Sequence, residues 1–356
     1  MRSSFTRNLV KVILMSPKKP LVSVLMAVYN GEKYLREAIE SILNQTYINF
    51  EFLIVNDGST DLTEDIILSY SDNRIRYLKN ETNLKLIASL NKGLDLANGK
   101  YIARMDADDI SLPERLEKQV DFMERNPEYI LIGTRVLSFG KNNNLSSPCL
   151  EHVDILNTLH FSNCIYHSSV MINKYLMGGL KYDNQYLHVE DYELWTRLIS
   201  IGKMKIIDNI LLKYRVHDDS ICQSNHLFQY EMVKKVRKKI LSQYGLNIEI
   251  FTLDIYNKLI NNATNNYFKD LEPIAEYSKA ELVDLTRIIT ALKKSKTKSS
   301  NIDNHEYIYH LRAFMFAEFV DANKLKGGLR FLYLTSNLFS LKQFSKKLVL
   351  KWIIKN

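Results

Sequence analysis

The segment LVSVLMAV, residues 21–28, is apolar at every position but Ser23. A strand with one face in water alternates polar and apolar residues, so this run belongs to a strand covered on both sides. The next stretch, GEKYLREAIESILNQ, places Leu35, Ile39, Ile42 and Leu43 at helical spacing. The pairing then recurs. FEFLIVND (50–57) precedes the helical STDLTEDIILSYS, and IRYLKN (75–80) precedes LKLIASLNKGLDLANG, a helix expected to end at Gly99. KYIARMD (100–106) precedes LPERLEKQVDFMERN, a helix stopped by Pro127. Strands that alternate with helices in this order form an α/β unit: a largely parallel sheet with helices on both faces.

Later segments are more mixed. SSVMINK (168–174) reads as a strand, and EDYELWTRLISIG (190–202) as a helix with Leu194, Trp195, Leu198 and Ile199 on one face. MKIIDNILLKYRVH (204–217) reads as extended, and helical signals dominate beyond residue 230. No G-x-G-x-x-G follows the first strand and no G-x-x-x-x-G-K-[ST] occurs, so dinucleotide-fold and P-loop readings lose their main support. Hydrophobic residues at 46% and charged residues at 25% exclude wholesale disorder. The cysteines Cys149, Cys164 and Cys222 lack paired or metal-type spacing and fit a reducing compartment. No run reaches the roughly 18 apolar residues of a membrane span. The N-terminal patch Leu9–Met15 is broken by Lys11 and lacks a small-residue cleavage site, so residues 1–19 read as a leader rather than a secretion signal.

In open α/β sheets ligands sit at the carboxyl ends of strands, which selects the loops beginning at Tyr29, Asn56 and Asp106. The last contains YIARMDADDISLPERL, with Asp106, Asp108 and Asp109 inside four positions. Ser111, Pro113 and Glu114 form a capping box that would start the next helix, which frees the aspartates from that duty. In an extended segment residues two apart point the same way, so Asp106 and Asp108 would converge. Solvated loop carboxylates are one reading of that pair. The other is a divalent cation, Mg²⁺ or Mn²⁺, whose charge relieves the repulsion and which suits hard oxygen ligands beside phosphate oxygens.

Three stretches together, VSVLMAVYNGEKYLREAIESILNQTYINFEFLIVNDGSTD, NKGLDLANGKYIARMDADD and HVEDYELWTRL, resemble family 2 glycosyltransferases of the GT-A fold. The likeness is strongest to bacterial enzymes that extend capsule, lipopolysaccharide or other surface glycans. The resemblance covers roughly residues 20–220 and implies a donor, a base and a metal. Ala27, Tyr29 and Glu32 would hold the nucleotide base, and Asp57 would bond the uracil or ribose. Arg104 would touch the nucleotide, Asp106 the ribose and metal side, and Asp108 the metal that joins the diphosphate. Asp191 matches the catalytic base, with Glu190 as its acidic neighbour. Arg215 and His217 match an R-x-H element at the diphosphate or metal. His167 lies near the acceptor pocket, and Asp109 would orient the other aspartates. Lys85 stands where many relatives have glycine.

The implied chemistry is inverting transfer of a hexose or N-acetylhexosamine from a nucleotide sugar, UDP-linked, to a hydroxyl of a growing bacterial surface glycan. A metal-dependent sugar-nucleotide or phosphodiester hydrolase is one alternative, and a non-catalytic subunit of a glycan-assembly complex is another. The base would sit beside Glu190 in a partly dry pocket, which raises its pKa, whereas a helix N-terminus lowers it.

Charge divides the chain. Lys and Arg outnumber Asp and Glu 22 to 12 in residues 231–356, but stand 26 to 28 in residues 1–230. The organisation expected is therefore a leader (1–19), a GT-A catalytic domain (20–225) and a helical C-terminal region (226–356). The final stretch GGLRFLYLTSNLFSLKQFSKKLVLKWIIKN spaces Leu338, Leu341, Phe344, Leu348 and Trp352 by three or four, with lysines between. That pattern fits an interfacial helix on an anionic membrane, or equally a helix packed on the catalytic domain or a homodimer contact. Nucleic acid is not expected as a partner, since no recognition motif or stacking platform is present. The location expected is cytoplasmic, peripheral on the inner face of the cytoplasmic membrane.

Overall fold

The computed structural model describes residues 21–141, 143–146, 150–159, 162–217 and 226–243. The leader at 1–19 and the basic segment ending the chain lie outside the described residues.

The apolar run forms β1 (Val22–Val28), buried at every position. Its side chains alternate between two cores. Val24, Met26 and Val28 meet Phe52, Ile54, Ile39 and Leu116 on one face, while Leu25 and Ala27 meet Leu53, Val55, Leu90 and Ile102 on the other. Each large side chain so buried is worth about 1.5–3 kcal/mol. Ser23, the one polar residue of the run, is fully buried but satisfied: it donates to Glu51 and accepts the Gly99 N–H at 2.8 Å.

The helix α1 (Leu35–Leu43) leads to β2 (Phe50–Asn56), then α2 (Thr63–Leu68), β3 (Ile75–Lys79), α3 (Leu86–Leu96) and β4 (Tyr101–Met105). The strands β3, β2, β1 and β4 lie side by side and parallel. Helix α3 stops three residues before Gly99, because Ala97 turns extended and Glu51 takes the Asn98 N–H at 2.6 Å.

Beyond β4 the sheet becomes mixed, so parallel pairing holds for only part of it. The chain continues through β5 (Ile110–Ser111), α4 (Arg115–Arg125), β6 (Tyr129–Gly140), α5 (His152–Leu159), β7 (Met171–Asn173), α6 (Lys174–Met177), α7 (Glu190–Leu198), β8 (Lys203–Val216) and α8 (His226–Gln243). The short β7 runs antiparallel to both β4 and β6, β8 is parallel to β6, and β5 closes the edge antiparallel to β8.

Two local expectations are corrected. The segment 168–174 is a strand only over Met171–Asn173. Its start is a 3₁₀ turn, His167–Ser169, and the Asn173 side chain caps α6 by accepting two backbone N–H groups. The capping box at Ser111 does not form either. Ser111 lies in β5 and α4 begins at Arg115 with no side-chain cap from its own flank. Gln45, at the end of α1, does that work: its Oε1 accepts the Leu116 N–H at 3.0 Å, and its amide nitrogen donates to the Leu112 carbonyl and the Ser111 hydroxyl. The aspartates remain free of capping duty, for a different reason than the sequence suggests.

Candidate active site

β4 delivers the chain to the acid cluster at the carboxyl end of the sheet. Residues 106–109 form a turn rather than an extended segment, yet one oxygen from each of Asp106, Asp108 and Asp109 lies within 4.8 Å of the others. Asp106 pairs with Arg104, whose side chain is almost wholly buried and whose Nε has no hydrogen-bond partner among the described residues. Asp108 Oδ2 lies 3.0 Å from His217 Nε2. Asp109 is buried, and both its oxygens accept protein hydrogen bonds, one from Ser168 Oγ and one from the Arg215 N–H at 2.8 Å.

Burial, and next the negative charge of Asp106, push the Asp108 carboxyl up. Burial, then Asp106 and Asp108, hold Asp109 well above the usual carboxylate range. Hard oxygen donors crowded against their own repulsion fit a divalent cation such as Mg²⁺ or Mn²⁺. Both Asp109 oxygens are thus engaged within the protein, while Asp106 and Asp108 remain partly exposed.

Below the cluster α4 inserts Arg115, fully buried, whose guanidinium donates to the carbonyls of Arg104 (2.6 Å) and Val170 (3.3 Å). Burial lowers its pKa to about 9, which still leaves it charged at neutral pH. Gln119 one turn on donates to the Ser169 carbonyl at 2.9 Å, so α4 ties β4 to the 3₁₀ turn that carries Ser168.

The end of β8 supplies Arg215 and His217. The Arg215 guanidinium lies between the rings of Tyr34 (4.3 Å) and Phe139 (4.4 Å), pairs with Glu37, and donates from Nε to the Asp108 carbonyl at 2.7 Å. Its charge is thus already engaged, and its contacts make it a brace for the acid turn. His217 packs against Tyr34 at 5.0 Å.

At the other side of the cleft the loops after β1 and β2 clasp each other. Asn30 exchanges hydrogen bonds with Ser59 and Thr60, and Gly31 N–H donates to Thr63 Oγ1. Glu32 accepts the Leu62 N–H at 2.9 Å while its own N–H goes to Asp61. The structure therefore engages the Glu32 carboxylate in loop closure. Ala27 is buried in β1, and Tyr29 just beyond it is 48% exposed. Asp57 is buried, with one oxygen held by Asn80 Nδ2 (2.8 Å) and the Leu84 N–H (2.9 Å). Gly58 follows at φ +70, where a Cβ would meet the Thr82 backbone at 2.7 Å, so only glycine lets this turn close over the 80–84 segment.

The third element is α7, which opens on Glu190 and Asp191. Asp191 Oδ2 accepts from Asn163 Nδ2 at 2.8 Å and Oδ1 from the Tyr192 N–H at 2.6 Å. Burial raises its pKa to about 6 despite these bonds. Glu190 is 5% exposed, and its Oε2 has no hydrogen-bond partner among the described residues. Burial and then the charge of Asp191 push it up to about 8. His167 Nε2 and Tyr182 Oη share a 2.7 Å hydrogen bond, and His167 packs edge-on to Trp195 at 5.7 Å. Burial, with Arg104 nearby, holds His167 well below its ordinary range, hence neutral.

The sequence reading missed Ser168, Tyr182, Asn163, Glu37 and Arg115. Ser168 adjoins a residue already singled out, so the HSS turn carried a signal. The others come from distant elements whose meeting depends on the tertiary fold.

Comparison with known proteins follows these same features. The sequence model for glycosyl transferase family 2 matches residues 23–176. An uncharacterized glycosyltransferase of Haemophilus influenzae is 33% identical over 310 residues, covering 77% of this chain and 96% of that protein. The chain belongs to glycosyltransferase family 2. This glycosyltransferase is also 32% identical over 204 residues, 56% of its length and 79% of the relative's, to the Escherichia coli UDP-Glc:alpha-D-GlcNAc-diphosphoundecaprenol beta-1,3-glucosyltransferase WfgD. Its fold matches the crystal structure of Staphylococcus aureus TarS 1–349 in complex with UDP-GlcNAc, with a TM-score of 0.55 at 18% identity, over 82% of this chain and 83% of that one. The GT-A architecture expected from the motifs is the one observed.

Proposed function

We infer that this glycosyltransferase moves a sugar from a UDP-sugar to a hydroxyl of a lipid-linked, growing surface glycan, with inversion at the anomeric carbon. The observation that carries the reading is the pairing of a three-carboxylate turn with a separate, partly exposed carboxylate, Asp191, whose raised pKa of about 6 leaves it mostly ionised at neutral pH yet basic enough to take a proton.

Each residue then has a task. Asp57 and the exposed Tyr29 receive the uridine at the carboxyl ends of β1 and β2. Asp106 and Asp108, with His217 beside Asp108, hold the divalent cation, and Arg104 fixes Asp106. When bound, that cation supplies positive charge to the departing diphosphate. Asp191 takes the proton of the acceptor hydroxyl as its oxygen bonds the anomeric carbon and the bond to the diphosphate breaks, releasing UDP. One base without a covalent nucleophile means a single displacement, hence inversion. The name of the WfgD relative, a glucosyltransferase using UDP-Glc on a diphosphoundecaprenol-linked sugar, supports both the UDP donor and a lipid-linked acceptor. Such an acceptor fits a peripheral position at the inner membrane face. No helix among the described residues is long and apolar enough to cross a membrane.

The experiment is a thermal-shift panel of UDP-, GDP- and dTDP-sugars with and without Mn²⁺, followed by turnover with and without a lipid-linked acceptor. Stabilisation by UDP-sugars that requires Mn²⁺, and turnover that requires acceptor, are the expected results. A panel without metal-dependent stabilisation overturns the reading, and rapid turnover without acceptor replaces it with hydrolysis.

A further inference from the structure

The helix α8 follows the catalytic fold in sequence, and its side chains converge on the segment that presents Glu190 and Asp191. Gln229 Nε2 donates to the His188 carbonyl at 3.0 Å, and the Phe228 ring meets the His188 ring edge-on at 5.7 Å. Lys235 Nζ donates to the Gln185 carbonyl at 3.0 Å and lies 4.7 Å from the Tyr186 ring centroid. Lys239 reaches α7 itself: its ammonium pairs at 2.5 Å with Glu193, a fully buried carboxylate that Arg197 also grips through two hydrogen bonds of 2.7 and 2.8 Å. Val236 and Ile240 bury their side chains in the core shared with Leu194 and Trp195.

His188 gives these contacts their meaning. It sits at φ +68, a left-handed conformation rare for a residue with a side chain, two positions before Glu190. Strain of this kind persists only where surrounding structure over-determines it. Here α8 supplies that structure, with one bond to the strained residue's carbonyl and a ring against its side chain. The Glu193 pair then fixes the helix two residues after Asp191. A buried carboxylate that loses one of its cations is left with an uncompensated charge, so the clamp is costly to break.

We propose that α8 is part of the catalytic apparatus, with Gln229 and Lys239 as positioning residues that set the orientation of Asp191 toward the acceptor hydroxyl. The assignment rests on Asp191 being the base. The acid cluster hangs from β4, the 3₁₀ turn and β8, whereas the hydrogen bonds of these two residues go to His188 and Glu193, so under the proposal donor and metal binding fall to other residues. Catalysis is sensitive to such placement: a shift of about 1 Å in a reacting group can cost on the order of 100-fold.

The test uses the full chain with Gln229→Met, Lys239→Met and, as the conservative control, Lys239→Arg. Three readouts are taken: kcat for transfer, the Kd for UDP with Mn²⁺, and amide hydrogen exchange over residues 185–192. The expectation is a kcat lowered about 10- to 100-fold in both Met variants, a UDP Kd within twofold of the parent, faster exchange over 185–192, and recovery of most of kcat in Lys239→Arg. Unchanged kcat with unchanged exchange overturns the proposal. So does a parallel loss of UDP binding, which would mean a general structural role. If the parent chain shows no transfer, the functional reading has failed; the exchange data then still decide whether α8 holds this segment.

Discussion

Two sets of carboxylates face the same cleft and are held in opposite ways. In the turn after β4 three carboxylates crowd within 4.8 Å and each is partnered: Arg104 for Asp106, His217 for Asp108, and the Ser168 hydroxyl with the Arg215 N–H for Asp109. At the head of α7 the hydrogen-bond donors are neutral, Asn163 and the Tyr192 N–H for Asp191, and Glu190 keeps an unpartnered oxygen. The first arrangement keeps charge together, a donor set that suits a divalent cation. Burial raises carboxyl pKa values at both sites; what differs is that three carboxylates crowd together in the turn, whereas Asp191 stands beside one acidic neighbour, Glu190. Composition alone does not distinguish them, since both are short runs of acids.

The comparison predicts that the two sets fail differently. Asp191→Asn should lower kcat for transfer by about 10³-fold and leave Mn²⁺-dependent UDP binding intact in calorimetry. Unchanged cellular glycan in this variant would instead favour a non-catalytic subunit. Asp108→Asn should strike binding first. A Kd for UDP with Mn²⁺ weakened about 100-fold cuts the ligand stabilisation from about 2.7 to about 0.4 kcal/mol at a concentration that formerly stood at 100 times Kd, seen as a collapsed thermal shift. If both variants lost binding equally, the division of labour would be wrong.

Protonation gives a sharper test. A base of pKa about 6 predicts that kcat/KM falls tenfold per pH unit below about 6. Burial is the largest cause of that shift, and Glu190, at about 8, is still protonated and uncharged while Asp191 titrates, so Glu190→Gln should leave the limb in place. Stability should respond instead. Glu190 holds its proton up to about pH 8 in the fold but only to about 4.3 when unfolded. Between those values the native state binds more protons, so stability falls as pH rises. In Glu190→Gln the thermal midpoint should be higher at pH 8 than in the parent, and flatter between pH 5 and 8. A steeper profile would break the account.

Much of this was legible in the chain because local physics and tertiary structure agree. Continuous apolar runs marked the doubly covered strands β1 and β2, and helical spacing marked α1 and α7. The three aspartates stood out because nothing local requires them. What the chain concealed are contacts between distant segments: Gln45 capping α4, Arg115 beneath the acid turn, Glu37 claiming the Arg215 guanidinium, Asn163 on Asp191. The sheet's change from parallel to mixed was hidden for a related reason. β7 has three residues, too few for periodicity to reveal its direction. Helix α8 shows the limit most plainly, since charge balance grouped residues 226–243 with a basic C-terminal region, whereas its apolar face and Lys239 join it to α7.

The smallest effect concerns backbone strain, where the two sides of the cleft can be compared once more. Besides Asn30, two non-glycine residues adopt positive φ among the described residues, Lys85 on the donor side at +74 and His188 on the base side at +68. His188 is held from outside by α8. Lys85 is exposed at the N-terminal cap of α3, with ψ 159, a region in which glycine is nearly strain-free and other residues are not. Its neighbour's amide, the Leu84 N–H, helps fix Asp57, so the strain lies beside a candidate nucleotide contact. Lys85→Gly should relieve about 1–3 kcal/mol of strain and lose about 0.5–1 kcal/mol to greater unfolded-state freedom. The net gain of about 1 kcal/mol should raise the thermal midpoint by about 2–4 °C. With the Lys85 ammonium gone, the UDP Kd then reads the side chain separately from the backbone. A higher midpoint with unchanged Kd makes this a relaxed turn and nothing more. A higher midpoint with weaker UDP binding makes the strained lysine part of the donor site, and a lower midpoint means the backbone here is not strained.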